Sequence, residues 1–387
     1  MTFSPQLRIP GPTPLPDRVM RAMSRPMVDH RGPEFAAVFA EVTEGARKVF
    51  RTRSDVLLLT ASGSGGLESA IANLVSPGDK VIACVIGNFG ERFGAIAAAY
   101  GCQVIRIDSE WGQPTDPEEL RRALAANPDA GLVLLTHNET STSVTNPLQE
   151  LVRIVKEAGR VVAVDGVSSI SSIPIETDAW GVDVAVTGSQ KGWMAPPGIA
   201  LVAVSEQAWQ RQAVARSPRF YFDWTEAKAN GLKNATPFTP AISVLYAMQE
   251  GIRMLEEEGL EQVYARHRRL ADATAAGLEA LGFELFAKAG FRSATVTGAL
   301  PPAGLDVDSF RKLLNRKYGV VIAGGQGKMA GKMVRVGHLG AISEGDVIQV
   351  LWAIEQALEE MDVAPAQGKA LAAAGLILSR EGAALSA

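Results

Sequence analysis

The stretch LVLLTHNETSTSVTNPLQELVRIVKEAGRVVAVD (132–165) decides the fold. An apolar run of strand length, a helix-length segment and a second apolar strand follow one another without a break in rhythm. The same alternation extends in both directions. Upstream, VLLLT (56–60) precedes GLESAIANLV (66–75), where Leu67, Ile71, Leu74 and Val75 fall at helical spacing, and the turn SPGD (76–79). KVIACVI (80–86), ERFGAIAAAY (91–100), CQVIRI (102–107) and DPEELRRALAA (116–126) continue it. Downstream, VDVAVTG (182–188) and GIALVAV (198–204) are two more strands. Apolar strands separated by helices imply an α/β fold with a mostly parallel sheet covered on both faces.

The two ends of the chain differ from this centre. Residues 1–17 contain PGPTPLP, which cannot be helix interior because proline lacks the amide donor. An extended arm is expected. From about residue 243, two long helical patterns flank Gly259, and shorter strands follow at 283–286, 293–298, 320–325 and 332–340. Ser343 and Asp346 form a capping-box pattern before the last long helix. The expected organisation is an arm over 1–20, a large domain over 21–260 and a smaller C-terminal α+β domain over 261–387. The Ala-rich last twenty residues are expected to fray.

Composition removes several classes of function. The 387 residues carry 38 Lys+Arg against 42 Asp+Glu, a net charge of −4, so no basic excess exists to coat nucleic acid. The 2 cysteines cannot make a disulfide scaffold or a cysteine zinc site. The N-terminal residues lack the apolar core of a signal peptide, and no run of about 18 apolar residues suits a membrane. The reading is a cytoplasmic enzyme with no membrane and no nucleic-acid partner. The 4 histidines show no metal-ligand spacing, and no metal is expected.

Two features carry chemistry. TASGSGGLESA (60–70) leaves a strand through small residues and enters a helix, so free amides and the positive end of the dipole would face an anion. It matches neither the P-loop nor the dinucleotide pattern, and GGQGKMAGK (324–332), which also fails the P-loop spacing, reads as a mobile loop. Asp165 ends a buried strand, where open α/β sheets bind ligands. Lys191, in TGSQKGWMAPPG, follows another such strand, and an amine near apolar walls becomes nucleophilic. Either residue alone would read as a surface or ion-paired group. Together with a phosphate cup, they are the parts of a pyridoxal phosphate site.

With these motifs in view, the chain resembles the class V (fold type I) pyridoxal-phosphate aminotransferases, within the alanine–glyoxylate and serine–pyruvate group. The likeness runs from PGPTPLP to VRVGHLG and rests on SGSGG, GNFGER, VDGVSS and TGSQKGWMAPPG. It implies that Lys191 is the Schiff-base lysine and Asp165 the partner of the pyridine nitrogen. It places Ser64, Gly65, Gly66 and Gln190 round the phosphate, Phe89 on one face of the ring and Val167 on the other. Thr140 would bond the ring-oxygen side, Thr239 would reach the phosphate of a partner subunit in a homodimer, and Arg335 would grip the substrate carboxylate. Two departures from the family pattern stand out: Thr236 where some relatives carry Tyr, and Ser143 in HNETSTS where the pattern has Gly. His30 and Arg31 are candidates to sense a substrate side chain, His137 to support the site, and His267 is expected in solvent.

The resemblance implies transfer of an amino group from a small amino acid, alanine or serine, to a 2-oxo acid, glyoxylate or pyruvate. The alternatives are an aspartate-preferring transaminase and a lyase or desulfurase of the same fold. A desulfurase needs a reactive cysteine on a mobile loop, whereas Cys84 and Cys102 sit in apolar strands. A non-catalytic subunit that kept the fold would not need Lys191, Asp165 and Arg335 together.

Overall fold

The computed structural model describes residues 5–363 and 367–379. Its strands in chain order are β1 (Gln6–Arg8), β2 (Asp55–Ala61), β3 (Lys80–Val85), β4 (Gln103–Asp108) and β5 (Leu132–Thr136). Then come β6 (Asn138–Glu139), β7 (Val144–Thr145), β8 (Val161–Asp165), β9 (Val184–Gly188) and β10 (Gly198–Val204). The last are β11 (Glu284–Leu285), β12 (Val296–Leu300), β13 (Val320–Gly324) and β14 (Val334–Gly337).

Seven strands form the large sheet, in the order β2-β10-β9-β8-β5-β3-β4. Strand β10 is antiparallel to both β2 and β9, while the remaining pairs are parallel. Six strands therefore point the same way. The reversal of β10 has a simple cause: the connection from Ser189 to Pro197 is shorter than the dozen or so residues a parallel crossover needs.

The continuous apolar runs are explained by two cores. Val81, Ala83, Leu132, Leu134, Ala163 and Val186 face one side, under the helices Gly63–Leu74 and Asn88–Ala99. Ile82, Cys84, Val133, Leu135, Val162 and Val164 face the other, under Pro33–Phe50, Leu148–Glu157 and Ile242–Glu258. Successive residues alternate between faces, and both faces are buried, so no polar alternation survives in the sequence.

A second sheet, ordered β1-β13-β14-β12-β11, packs against the helices Leu260–Ala280, Val307–Tyr318 and Glu344–Glu360. The arm contributes β1, which pairs parallel to β13. Arg8 reaches on from it to Asp346. The expected capping box is formed: Ser343 Oγ accepts from Asp346 N (3.3 Å) and Asp346 Oδ2 accepts from Ser343 N (2.8 Å). The expected frayed tail is in part a helix, Lys369–Leu378, which buries Ala370 and Ala374; residues 380–387 lie outside the described ones. Among the described residues no helix is long and apolar enough to cross a membrane.

Candidate active site

Because six strands share a direction, the segments after β2, β3, β5, β8 and β9 leave the same edge of the sheet. They converge on one cavity. Ser64, Phe89, Thr140, Asp165, Val167, Gln190 and Lys191 all line it. Gly65 and Gly66 do not.

The two glycines have a packing duty. A Cβ on Gly66 would stand 2.7 Å from Val186 Cγ1 and 3.0 Å from Ala200 Cβ, so the helix Gly63–Leu74 rests directly on the sheet. One on Gly65 would meet Ala61 Cβ at 2.8 Å. Ser62 caps this helix, its Oγ accepting from Gly65 N (3.3 Å). Gly63 and Ser64 line the cavity at the first turn, where amides have no intrahelical acceptor.

Asp165 is buried at the end of β8, with Val167 N donating to its Oδ1 (2.9 Å). Burial pushes its carboxyl up to about 7, and Glu139 adds to the rise while Lys191 and Arg92 oppose it. Lys191 is buried too, and loss of solvent brings its amine down to about 8; Arg335 adds to the fall and Asp165 opposes it. The lysine Nζ donates to the carbonyl of Pro10 in the arm. Thr13 holds the same loop, its amide donating to Gln190 O (3.1 Å) and its hydroxyl to Lys191 O (3.2 Å). Between them Gly11 has φ +122°, and a Cβ there would lie 2.6 Å from Lys191 Nζ. Only glycine lets the arm come this close.

Two residues that sequence reasoning left without a role are built into the site. The Glu139 carboxylate, fully buried, accepts from Phe89 N (3.0 Å), Gly90 N (3.1 Å), Ser141 N (3.0 Å) and Ser141 Oγ (2.6 Å). It thereby ties the ring-stacking segment to the loop between β6 and β7, and burial raises its carboxyl. Arg92 donates to Ser64 Oγ (3.1 Å) and lies 5.0 Å from the Phe89 ring centroid. The signal for both was present, an acid at a buried strand end and a cation one helical turn after Phe89.

Arg335, on β14, is buried beside this cavity. Its Nε donates to Gly324 O (2.8 Å) and its Nη1 to Thr140 O (2.9 Å). Burial lowers its guanidinium to about 10. Thr239 is exposed and outside the cavity of the single chain. The preceding segment is fixed by Arg31, which donates to Thr236 O (2.7 Å) and Pro237 O (3.1 Å), while Thr236 Oγ1 donates to Phe238 O (2.7 Å). Arg31 thus holds backbone, and Thr236 closes a local turn. Ser143 adopts the left-handed conformation (φ +59°) that glycine tolerates best. His137 is buried against Trp180, with its Nδ1 unpartnered. His267, expected in solvent, is fully buried: its helix is sandwiched between the second sheet and other helices.

These features fit pyridoxal phosphate. Asp165 is a buried acid whose charge needs a cation, and Lys191 is an amine made easy to deprotonate. Helix-start amides complete an anion cup. Cys84 is pushed up to about 12 and Cys102 to about 11 by burial, so neither offers the thiolate of a desulfurase.

The Aminotransferase class-V family model matches residues 7–343. The serine–glyoxylate aminotransferase of Methylorubrum extorquens is 37% identical, covering 96% of this chain and 95% of its own. The L-aspartate–glyoxylate aminotransferase of Paracoccus denitrificans is 34% identical, over 97% and 96%. The crystal structure of an alanine–glyoxylate aminotransferase from Nostoc sp. superposes with a TM-score of 0.89 at 32% identity, over 92% and 96%. A cavity at the strand ends lined by Asp165 and Lys191 and a family match along most of the chain lead to one conclusion: this chain belongs to the class-V aminotransferases, pyridoxal-phosphate enzymes that carry an amino group from an amino acid to a 2-oxo acid.

Proposed function

We propose that the chain transfers the amino group of a small amino acid, serine or alanine, to glyoxylate or pyruvate, working as a homodimer. The observation that carries this is the Arg335 site. Two of its nitrogens are spent on backbone carbonyls, and the guanidinium is close enough to Lys191 to disfavour a charge on that amine. Arg335 thus offers one fixed position for an α-carboxylate beside the reacting amine. Among the described residues lining the cavity, the cations are Arg92 and Lys191, and Arg92 is turned to Ser64. The likeness to serine–glyoxylate and alanine–glyoxylate aminotransferases supports the small-donor reading.

Pyridoxal phosphate supplies, when bound, the aldehyde that takes up the amino group and a ring that accepts electrons from the Cα–H bond. Lys191 would hold the cofactor, and its Nζ would serve as the base for the proton on the substrate Cα. Asp165, as a carboxylate, holds a proton at the pyridine nitrogen. Ser64, Gln190 and the helix-start amides bind the phosphate, with Thr239 of the second subunit completing the cup. Phe89 and Val167 fix the plane of the ring from its two faces, and Thr140 holds its oxygen side.

The test is Arg335→Lys. A single ammonium cannot reproduce a bidentate grip, so KM for donor and oxo acid both rise roughly tenfold or more, for a loss of about 1.4 kcal/mol. Unchanged KM values with a lower Tm would make Arg335 a structural tie between the two sheets. A half-reaction screen of amino acids, followed in the ~420 nm band of the cofactor, identifies the donor.

A further inference from the structure

Behind the wall of the active site lies a second cavity, of about 730 Å³ counting its mouth. One side is the helix Leu260–Ala280, where Ala271, Ala275 and Ala276 leave space that larger residues would fill. The other is β12 and the segment leading to it. On the helix, Arg268, Asp272 and Glu279 also line the cavity, at i, i+4 and i+11, which puts them on one face.

These charges are not all neutralised by each other. Glu279 is paired with Arg292 at 3.5 Å. Arg268 donates to the backbone carbonyl of Arg292 (3.2 Å), and among the described residues no acid lies within ion-pair distance of it. Asp272 has neither a hydrogen bond nor an ion pair among the described residues; partial loss of solvent holds its carboxyl above the usual range, against the opposing pull of Arg268 and Arg292. A third unused group faces the same space. Ser143 Oγ is buried (residue exposure 1%) and unpartnered, and it borders the cavity beside Gly298. A Cβ on Gly298 would stand 2.6 Å from that oxygen, so the hydroxyl fits only because position 298 has no side chain.

A cation, an anion and a spare hydroxyl therefore share a cavity whose other walls combine apolar side chains with the Glu279–Arg292 pair, Ser293 and Thr297. That is the complement of one ligand class. We propose that this cavity is a second, non-reacting site for a small zwitterionic amino acid. The carboxylate is taken by Arg268 with the Ser143 hydroxyl, and the ammonium by Asp272. The side chain lies against Leu285, Val296 and Ile377.

The site shares structure with the substrate arginine. Ser143 belongs to the same short loop as Thr140, whose carbonyl receives Arg335. Gly298 on β12 is the cross-strand partner of Arg335 on β14. Filling the cavity fixes Ser143 and Gly298, two neighbours of the segment that sets the position of Arg335. An amino acid bound there changes the grip on substrate without entering the reaction.

The test is calorimetric titration of L-alanine into borohydride-reduced holoenzyme, in which Lys191 can no longer exchange. Because L-alanine can also occupy the substrate position, the same titration is run in an Arg335→Ala background. Saturable binding that survives Arg335→Ala is expected. It should weaken at least tenfold with Arg268→Gln, with Asp272→Asn, and when pyruvate, which lacks the ammonium, replaces L-alanine. Arg268 and Asp272 are exposed enough that neither change endangers folding, and Ser143→Gly, a milder change inside the wall, should weaken binding as well. Absence of saturable binding in the Arg335→Ala protein overturns the proposal. So does binding that is indifferent to both charge variants. Both readings are heats of binding, so they stand apart from any KM measured on Arg335→Lys.

Discussion

Two regions of this molecule bury ionisable side chains, and they do so in opposite ways. At the edge of the large sheet, Asp165 and Lys191 are buried with few partners, and the oxygen of Gln190 has none. Under the second sheet, His267 and His338 are buried with every ring nitrogen satisfied. Gly340 N donates to His267 Nε2 (3.0 Å), so the proton sits on Nδ1 and is given to Val263 O (2.7 Å). His338 Nδ1 donates to Ala294 O (3.1 Å), leaving Nε2 to accept from Thr297 Oγ1 (2.9 Å). Burial alone therefore does not mark chemistry. What separates the two regions is pairing: the histidines are satisfied within the protein, whereas Asp165 and Lys191 carry charges that burial disfavours.

The comparison is broken most decisively at Lys191. Lys191→Ala should lower kcat by at least about 10⁴-fold while the Tm of the cofactor-free protein does not fall. Its amine, brought down from 10.5 to about 8, is held at neutral pH in a charged form that burial disfavours. Activity within about tenfold of the parent would remove Lys191 from the mechanism.

Asp165→Asn should cost on the order of 10³ in rate and yet stabilise the cofactor-free protein at pH 8. The carboxyl rises from 3.8 in the unfolded chain to about 7 in the folded one. Its contribution to stability is thus complete below pH 3.8 and lost as pH climbs through 7. At pH 8 the charged form is the unfavourable one, and the amide keeps the bond from Val167. Thermal melts of both proteins at pH 5 and pH 8 read this directly: the gain appears at pH 8 and shrinks at pH 5. A lower Tm at pH 8 would mean that Asp165 is already compensated.

His267→Ala sharpens the contrast from the other side. It leaves Gly340 N without an acceptor and opens a cavity, for a loss of about 2–4 kcal/mol. KM and kcat should hold within about twofold. Both histidines are depressed from 6.5 to about 3, chiefly by burial. A lowered histidine contributes stability that is complete above pH 6.5 and lost as pH falls toward 3. Melts of the parent between pH 7 and pH 4 should decline, and the His267→Ala series should decline less steeply. Equal slopes would assign acid lability to other groups.

The large sheet was readable because both of its faces are buried, which turns each strand into an apolar run that ends in a turn. Asp165 and Lys191 were readable for the same reason, since a charged residue stands out at the end of such a run. Arg335 was not: VRVG looks like any short strand, and only resemblance singled it out. His267 was misjudged because its helix is rich in charge, and the composition of neighbours hid which face turns inward. Glu139 and Arg92 act through backbone amides and a hydroxyl far away in sequence. Pairings of that kind leave no periodicity behind. The link from the arm to Lys191 is of this type too, a contact across 181 positions made by a carbonyl that every residue possesses.

That arm has a consequence for how the enzyme comes into being. Strand β1 can pair only with β13, which is synthesised about 300 residues later. Residues 6–13 find partners both beside Lys191 and on the second sheet. The arm is therefore held at both ends by partners far away in sequence, β13 on one side and the Gln190–Lys191 loop on the other. Closing so long a loop is slow in the sense that contact order measures. The wall of the catalytic pocket at Lys191 is thus completed by a segment whose own anchors are among the most distant pairings in the chain.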